Sequence, residues 1–122
     1  MNVLVLAYLG DAVYEKYVRE YLIQSFYKVD ELQKQEVKYV GAKGQAAFLR
    51  KQIDANFFTQ EELDIIKRGR NNKRATHPKN VDIVTYKYST AFECLLGTLY
   101  LEKNIERMEE IIKRSLEEPA CI

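Results

Sequence analysis

The sequence predicts an all-α fold, and three observations carry that expectation. Apolar residues recur at three- and four-residue intervals over most of the chain, a threonine-led capping motif marks one helix start, and no stretch alternates apolar with polar residues for long enough to build a sheet.

The elements follow in order. From Leu4 to about Phe26, Leu6, Leu9, Val13, Tyr14, Tyr17, Val18, Tyr21 and Leu22 form one amphipathic stripe. Asp30 is the expected N-cap of a helix over Glu31 to Val40, which Gly41 stops, and Ala42 to Ile53 reads as a small-residue helix. Thr59-Gln60-Glu61-Glu62 is a capping box: the hydroxyl and the Glu62 carboxylate can each satisfy a backbone donor of the first turn, opening a helix that runs to about Arg68. The period is lost after Arg70 and returns at Tyr86, continuing through Phe92, Leu95, Leu96 and Leu99. A last helix spans Ile105 to Glu117 with Met108, Ile111, Ile112 and Leu116 inward.

A chain of 122 residues suits one domain, here residues 1–122, with room for a single core. Its 47% hydrophobic and 30% charged residues, with only five glycines and two prolines, argue against disorder. No apolar run reaches the roughly 18 residues of a membrane span and no basic-apolar leader opens the chain, so a cytoplasmic protein without membrane attachment is expected. Cys94 and Cys121 make no disulfide framework and have no zinc-like spacing; Cys94 reads as a small core residue.

Two carboxylates interrupt the apolar patterns. Asp11 lies in Leu9-Gly10-Asp11-Ala12-Val13, on the face of Tyr14 and Val18, and Glu93 lies in Phe92-Glu93-Cys94-Leu95-Leu96-Gly97. An acid at such a place is costly unless it is paired or binds a metal. Taken singly, Asp11 could cap a helix after Gly10 and Glu93 could pair with a buried lysine or tyrosine. Together they suggest a Mg²⁺ site, since Mg²⁺ is typically held by one or two carboxylates with waters completing its shell. Gly97, one turn beyond Glu93, either lets another helix approach or leaves room beside the carboxylate. Glu15 either orients metal-bound waters or pairs with Arg19 at i,i+4.

Charge is unevenly distributed. The chain's net charge is +1, yet Lys67, Arg68, Arg70, Lys73, Arg74 and Lys79 fall between residues 67 and 80 with no acid among them, so the rest of the chain is net acidic. With Asn71 and His77 this reads as a basic loop able to contact phosphates, because lysine and arginine gain free energy by displacing counterions from a polyanion; the alternative is a solvated helix end. His77 has no acid or serine partner nearby, so it is expected to contact phosphate or face solvent rather than act as a base.

These residues carry a resemblance. Leu9 to Val13 resembles the signature helix of the ribonuclease III catalytic domain, and Thr90-Ala91-Phe92-Glu93-Cys94-Leu95-Leu96-Gly97 resembles its second metal-binding helix, in the same order and spacing. Lys67-Arg68-Gly69-Arg70-Asn71, Pro78-Lys79-Asn80 and Tyr86-Lys87-Tyr88-Ser89 are similar to runs of the short bacterial branch, Mini-ribonuclease III, which lacks a double-stranded-RNA-binding domain. The resemblance implies a homodimeric, Mg²⁺-dependent endonuclease that cuts double-stranded RNA, leaving a 5′-phosphate, and a link to maturation of the large-subunit (23S) ribosomal RNA precursor. Family members commonly line each site with four acids. Here Ala7 and Thr90 stand where two of them are expected, leaving Asp11 and Glu93 as the implied catalytic metal ligands, with Glu15 and Thr90 in the surrounding shell. An alternative is a non-catalytic RNA-binding or ribosome-associated module that keeps the fold.

Overall fold

A computed structural model describes residues 1–72 and 78–118, and its described residues form six helices and no strand. They are α1 (Val3–Leu22), α2 (Val29–Val40), α3 (Ala42–Asp54), α4 (Gln60–Arg70), α5 (Ile83–Leu101) and α6 (Ile105–Glu117). The all-α expectation is met, and the bounds of the last helix are those its apolar period predicts.

The centre of the molecule is α5. It is apolar almost all round, as a helix enclosed by others must be: Ala91, Phe92, Cys94, Leu95, Leu96 and Leu99 are buried on successive faces. α1 packs against it most extensively, followed by α4 and α3. Tyr14 and Phe48 each meet Phe92 edge-on, at 4.9 and 5.8 Å between ring centres, joining α1, α3 and α5 in one aromatic core. α6 lays Met108, Ile111, Ile112 and Leu116 on this core. α2 buries no residue and rests on α1 and α3.

Local chemistry sets the ends. The capping box forms as expected: the Glu62 amide donates to Thr59 Oγ1 at 3.1 Å and the Thr59 amide to Glu62 Oε1 at 3.0 Å. The same Glu62 carboxylate receives Arg107 of α6 from Nε at 2.7 Å and from a terminal nitrogen at 2.8 Å, a bidentate pair that ties α6 to the start of α4. Burial pushes the Glu62 carboxyl upward, but the Arg107 and Thr59 hydrogen bonds outweigh it and hold the group below its ordinary value.

Three expected boundaries are corrected. α1 ends at Leu22, where the Phe26 amide closes back on the Leu22 carbonyl. α2 begins at Val29, with extended Lys28 preceding it; Asp30 lies inside the first turn instead of capping it, where its charge still meets the positive helix end. α5 begins three residues earlier than its apolar period, because Asp82 accepts hydrogen bonds from both the amide and the hydroxyl of Thr85, each at 2.9 Å. Tyr21, expected inward, is exposed at the molecule's edge beside Tyr39.

Candidate active site

The site is built at the crossing of α1 and α5, and two glycines make the crossing possible. A Cβ on Gly10 would collide with the Glu93 carbonyl oxygen, and one on Gly97 with the Leu6 carbonyl oxygen. The two backbones are therefore in direct contact, so of the two readings of Gly97 the structure selects helix approach. This contact carries Asp11, next to Gly10, to the side chain of Glu93, one turn before Gly97.

Asp11 and Glu93 are both half-buried, and their carboxyls share a hydrogen bond. Burial first, then that hydrogen bond and the Asp11 charge, push the Glu93 carboxyl up to about 9, with Glu15 adding to the rise and Gln45 opposing it. Among the described residues neither acid has an ion-pair partner. The simpler reading of each acid is thus overturned: Asp11 is mid-helix and caps nothing, and among the described residues Glu93 pairs with no lysine or tyrosine. No group of three or more His, Cys, Asp and Glu side chains gathers as a metal cluster among the described residues, so the pair stands as a pair.

The remaining predicted residues fall around it. Glu15, one turn along α1, is half-buried; burial, then Asp11 and Glu36, raise its carboxyl, while Arg19 lowers it. Arg19 donates from Nε to Glu36 at 2.6 Å, so the i,i+4 pairing with Glu15 gives way to a link between α1 and α2. Thr90 is buried one turn before Glu93 on α5, and Ala7 is buried one turn before Asp11 on α1.

The basic residues are not all in a loop. Lys67, Arg68 and Arg70 lie on the last turns of α4, drawn against α5 at Gly69, where a Cβ would meet the Ala91 Cα at 2.8 Å. Lys67 and Arg68 are exposed; Arg70 is half-buried and stands 5.9 Å over the Tyr88 ring, which Arg50 of α3 also approaches at 4.9 Å. Asn71 accepts from Arg70 Nε at 3.4 Å, and Lys79 is exposed beyond the connection. Lys73, Arg74 and His77, like Cys121, lie outside the described residues.

Two site residues escape a reading of the sequence. Gln45 of α3 and Ser89 of α5 are buried side by side: the Ser89 hydroxyl donates to Gln45 Oε1 at 2.5 Å, and Gln45 Nε2 approaches Glu93 Oε2 at 3.5 Å. The signal for Gln45 was a long amide in the otherwise small run Gly44-Gln45-Ala46-Ala47.

Fold and site together define an all-helical protein with a carboxylate pair at a glycine-lined helix crossing. Residues 4–104, which include both acids, match the Ribonuclease III domain family. The Mini-ribonuclease 3 of Staphylococcus aureus is 46% identical over 115 residues, covering 93% of this chain and 86% of that protein. The one from a Thermoanaerobacter species is 44% identical over 118 residues, covering 96% and 82%. A crystal structure of a Fusobacterium nucleatum protein superposes with a TM-score of 0.86 at 35% identity, covering 96% of this chain and 93% of that one. The chain belongs to the ribonuclease III family of endoribonucleases, in its Mini-ribonuclease 3 branch.

Proposed function

We propose that this protein is a Mg²⁺-dependent endonuclease of double-stranded RNA that works as a homodimer and acts in the maturation of the large-subunit (23S) ribosomal RNA precursor. The observation that carries this reading is the Asp11–Glu93 pair, two hard oxygen donors facing each other with no ion-pair partner among the described residues.

The residues present fit a divalent cation. Burial first, and then the neighbouring Asp11 carboxyl, drive Glu93 toward its protonated form; a cation between the two acids offsets the cost of the buried charge and their repulsion, and removes the need for that proton. Asp11 and Glu93 would hold Mg²⁺ by one oxygen or more each, consistent with the ion's habit of keeping several waters. Mg²⁺ bound there supplies positive charge to a scissile phosphate and makes a neighbouring water more acidic. The chain's own part is to bring the two acids together and to bind the duplex. Gly10 and Gly97 hold α1 and α5 at backbone contact, so the acids cannot drift apart without breaking the core. Lys67, Arg68, Arg70, Asn71, Lys73, Arg74, His77 and Lys79 are assigned to phosphate contacts, suiting a duplex whose deep major groove hides its bases. No side chain acts as a nucleophile: water adds to phosphorus, the bond to the 3′ oxygen breaks, and a 5′-phosphate and a 3′-hydroxyl remain.

The outer face of α1 supports self-association. Val5, Tyr8 and Ala12 recur at helical spacing on α1 and are exposed, Tyr8 at 82%, with Met1 exposed just before the helix. An apolar stripe beside the site is suited to a second copy, and a twofold pair would present one site to each strand.

The test is cleavage of duplex RNA with and without Mg²⁺ by the wild type, Asp11→Asn and Glu93→Gln. The expected result is Mg²⁺-dependent cutting by the wild type only, with all three binding RNA. Near-wild-type cutting by either variant rejects the site. A folded wild type that binds RNA but never cuts selects the alternative, a non-catalytic module that keeps the fold.

A further inference from the structure

Gln45 is 1% exposed, Ser89 is 5% exposed, and neither belongs to the apolar core around them. A buried amide is retained only when both its ends are satisfied. Ser89 and Glu93 occupy that role from one side of α5, four residues apart and one turn along the same helix face. The directions of the two bonds depend on each other. A primary amide has one accepting and one donating end, so the Ser89 proton on Gln45 Oε1 leaves Nε2 as the end that faces Glu93. Were the amide turned over, its oxygen would face the carboxylate and be repelled.

We infer that the Ser89–Gln45 pair is a positioning device for Glu93, fixing the orientation of its carboxylate for a divalent cation shared with Asp11. This rests on the metal-site reading above and adds to it. α3 contributes no charged ligand, yet through Gln45 it limits the rotation of a ligand on α5. Nε2 can donate to one carboxylate oxygen, Oε2, leaving the remaining lone pairs of Glu93 for the cation. Such outer partners orient metal ligands, and their loss typically weakens metal affinity or activity by about 10- to 100-fold.

The test is Mn²⁺ affinity of the free protein, measured by titration calorimetry or by the spin-resonance signal of unbound Mn²⁺, so that catalysis is not the readout. Wild type, Gln45→Leu, Ser89→Ala and Asp11→Asn are compared, each after its folding is checked by circular dichroism and thermal melting. Gln45→Leu should bind Mn²⁺ at least about 10-fold more weakly, and Ser89→Ala several-fold more weakly, because the amide is then free to turn. Duplex RNA affinity in EDTA should not change for either. If Gln45→Leu is folded and binds Mn²⁺ like the wild type while Asp11→Asn has lost binding, the positioning role is overturned and the metal site stands. If Asp11→Asn also binds like the wild type, or the wild type binds no Mn²⁺, the metal-site reading itself falls and the inference with it. Should Gln45→Leu not fold, Ser89→Ala decides alone: unchanged affinity in that variant overturns the proposal.

Discussion

Glu93→Gln is expected to stabilise the protein in metal-free buffer while abolishing its activity. In the folded chain the Glu93 carboxyl is raised from its ordinary value of 4.5 to about 9, by burial first and then by Asp11. A carboxyl raised on folding favours the folded state below its unfolded value and costs stability progressively as pH climbs toward the folded one. At pH 7 the unfolded chain has released this proton and the folded chain still holds it. At about 1.4 kcal/mol per pH unit, the interval from 4.5 to 7 sets a ceiling of roughly 3 kcal/mol on the penalty. Water reaching the half-buried group reduces this to about 1–2 kcal/mol. Glutamine keeps the shape, is always neutral, and can donate to Asp11, so it escapes the penalty. The gain corresponds to roughly 3–8 °C in melting temperature for a chain of this size. The assay is thermal melting from pH 5 to 9 in EDTA and again with Mg²⁺. In EDTA the variant's advantage should grow with pH and nearly vanish at pH 5. With saturating Mg²⁺ the wild type should gain more than the variant, because only the wild type presents two ionisable ligands. A variant less stable than the wild type at pH 7 in EDTA, or an advantage that does not change with pH, would refute the account of the repelling pair.

Two further expectations test the parts that surround this pair. Gly10→Ala should lose at least about 1–3 kcal/mol, because its Cβ meets backbone rather than a side chain that could move aside; cleavage should fall more steeply than stability, since any separation of α1 from α5 takes Asp11 away from Glu93, and an unchanged melting curve would show that the crossing is not tight. Lys67→Ala with Lys79→Ala, both at exposed positions, should flatten the slope of log RNA affinity against log salt by about 0.7–0.9 for each phosphate that is no longer neutralised, and should move stability by no more than about 0.5 kcal/mol; an unchanged slope in a salt series would remove these two lysines from the RNA-gripping surface.

The parts of this molecule that could be read in advance are those whose partner lies one helical turn away. Thr59 and Glu62 satisfy each other's backbone across three residues, so their motif foretold both the start of α4 and its cap. The stripe of α6 repeats within a single helix and gave that helix its correct limits. Asp30 misled because an acid in the first turn and an acid at the cap serve the same helix end, and sequence alone does not choose between them. Gly97 lies between these cases. Its presence in a helix signalled a close approach, but what approaches it is Leu6, ninety-one positions away in the chain. Gln45 marks the limit, because an amide has no charge to count and no period to break, and its function comes entirely from Ser89 and Glu93 on another helix. The acids themselves were legible for the opposite reason. A charge inside an apolar pattern is so costly that its survival implies a compensating partner, and here the described residues supply each acid chiefly with the other. Two acids that are each other's principal partner exchange one unfavourable burial for a mutual repulsion, and a cation removes both.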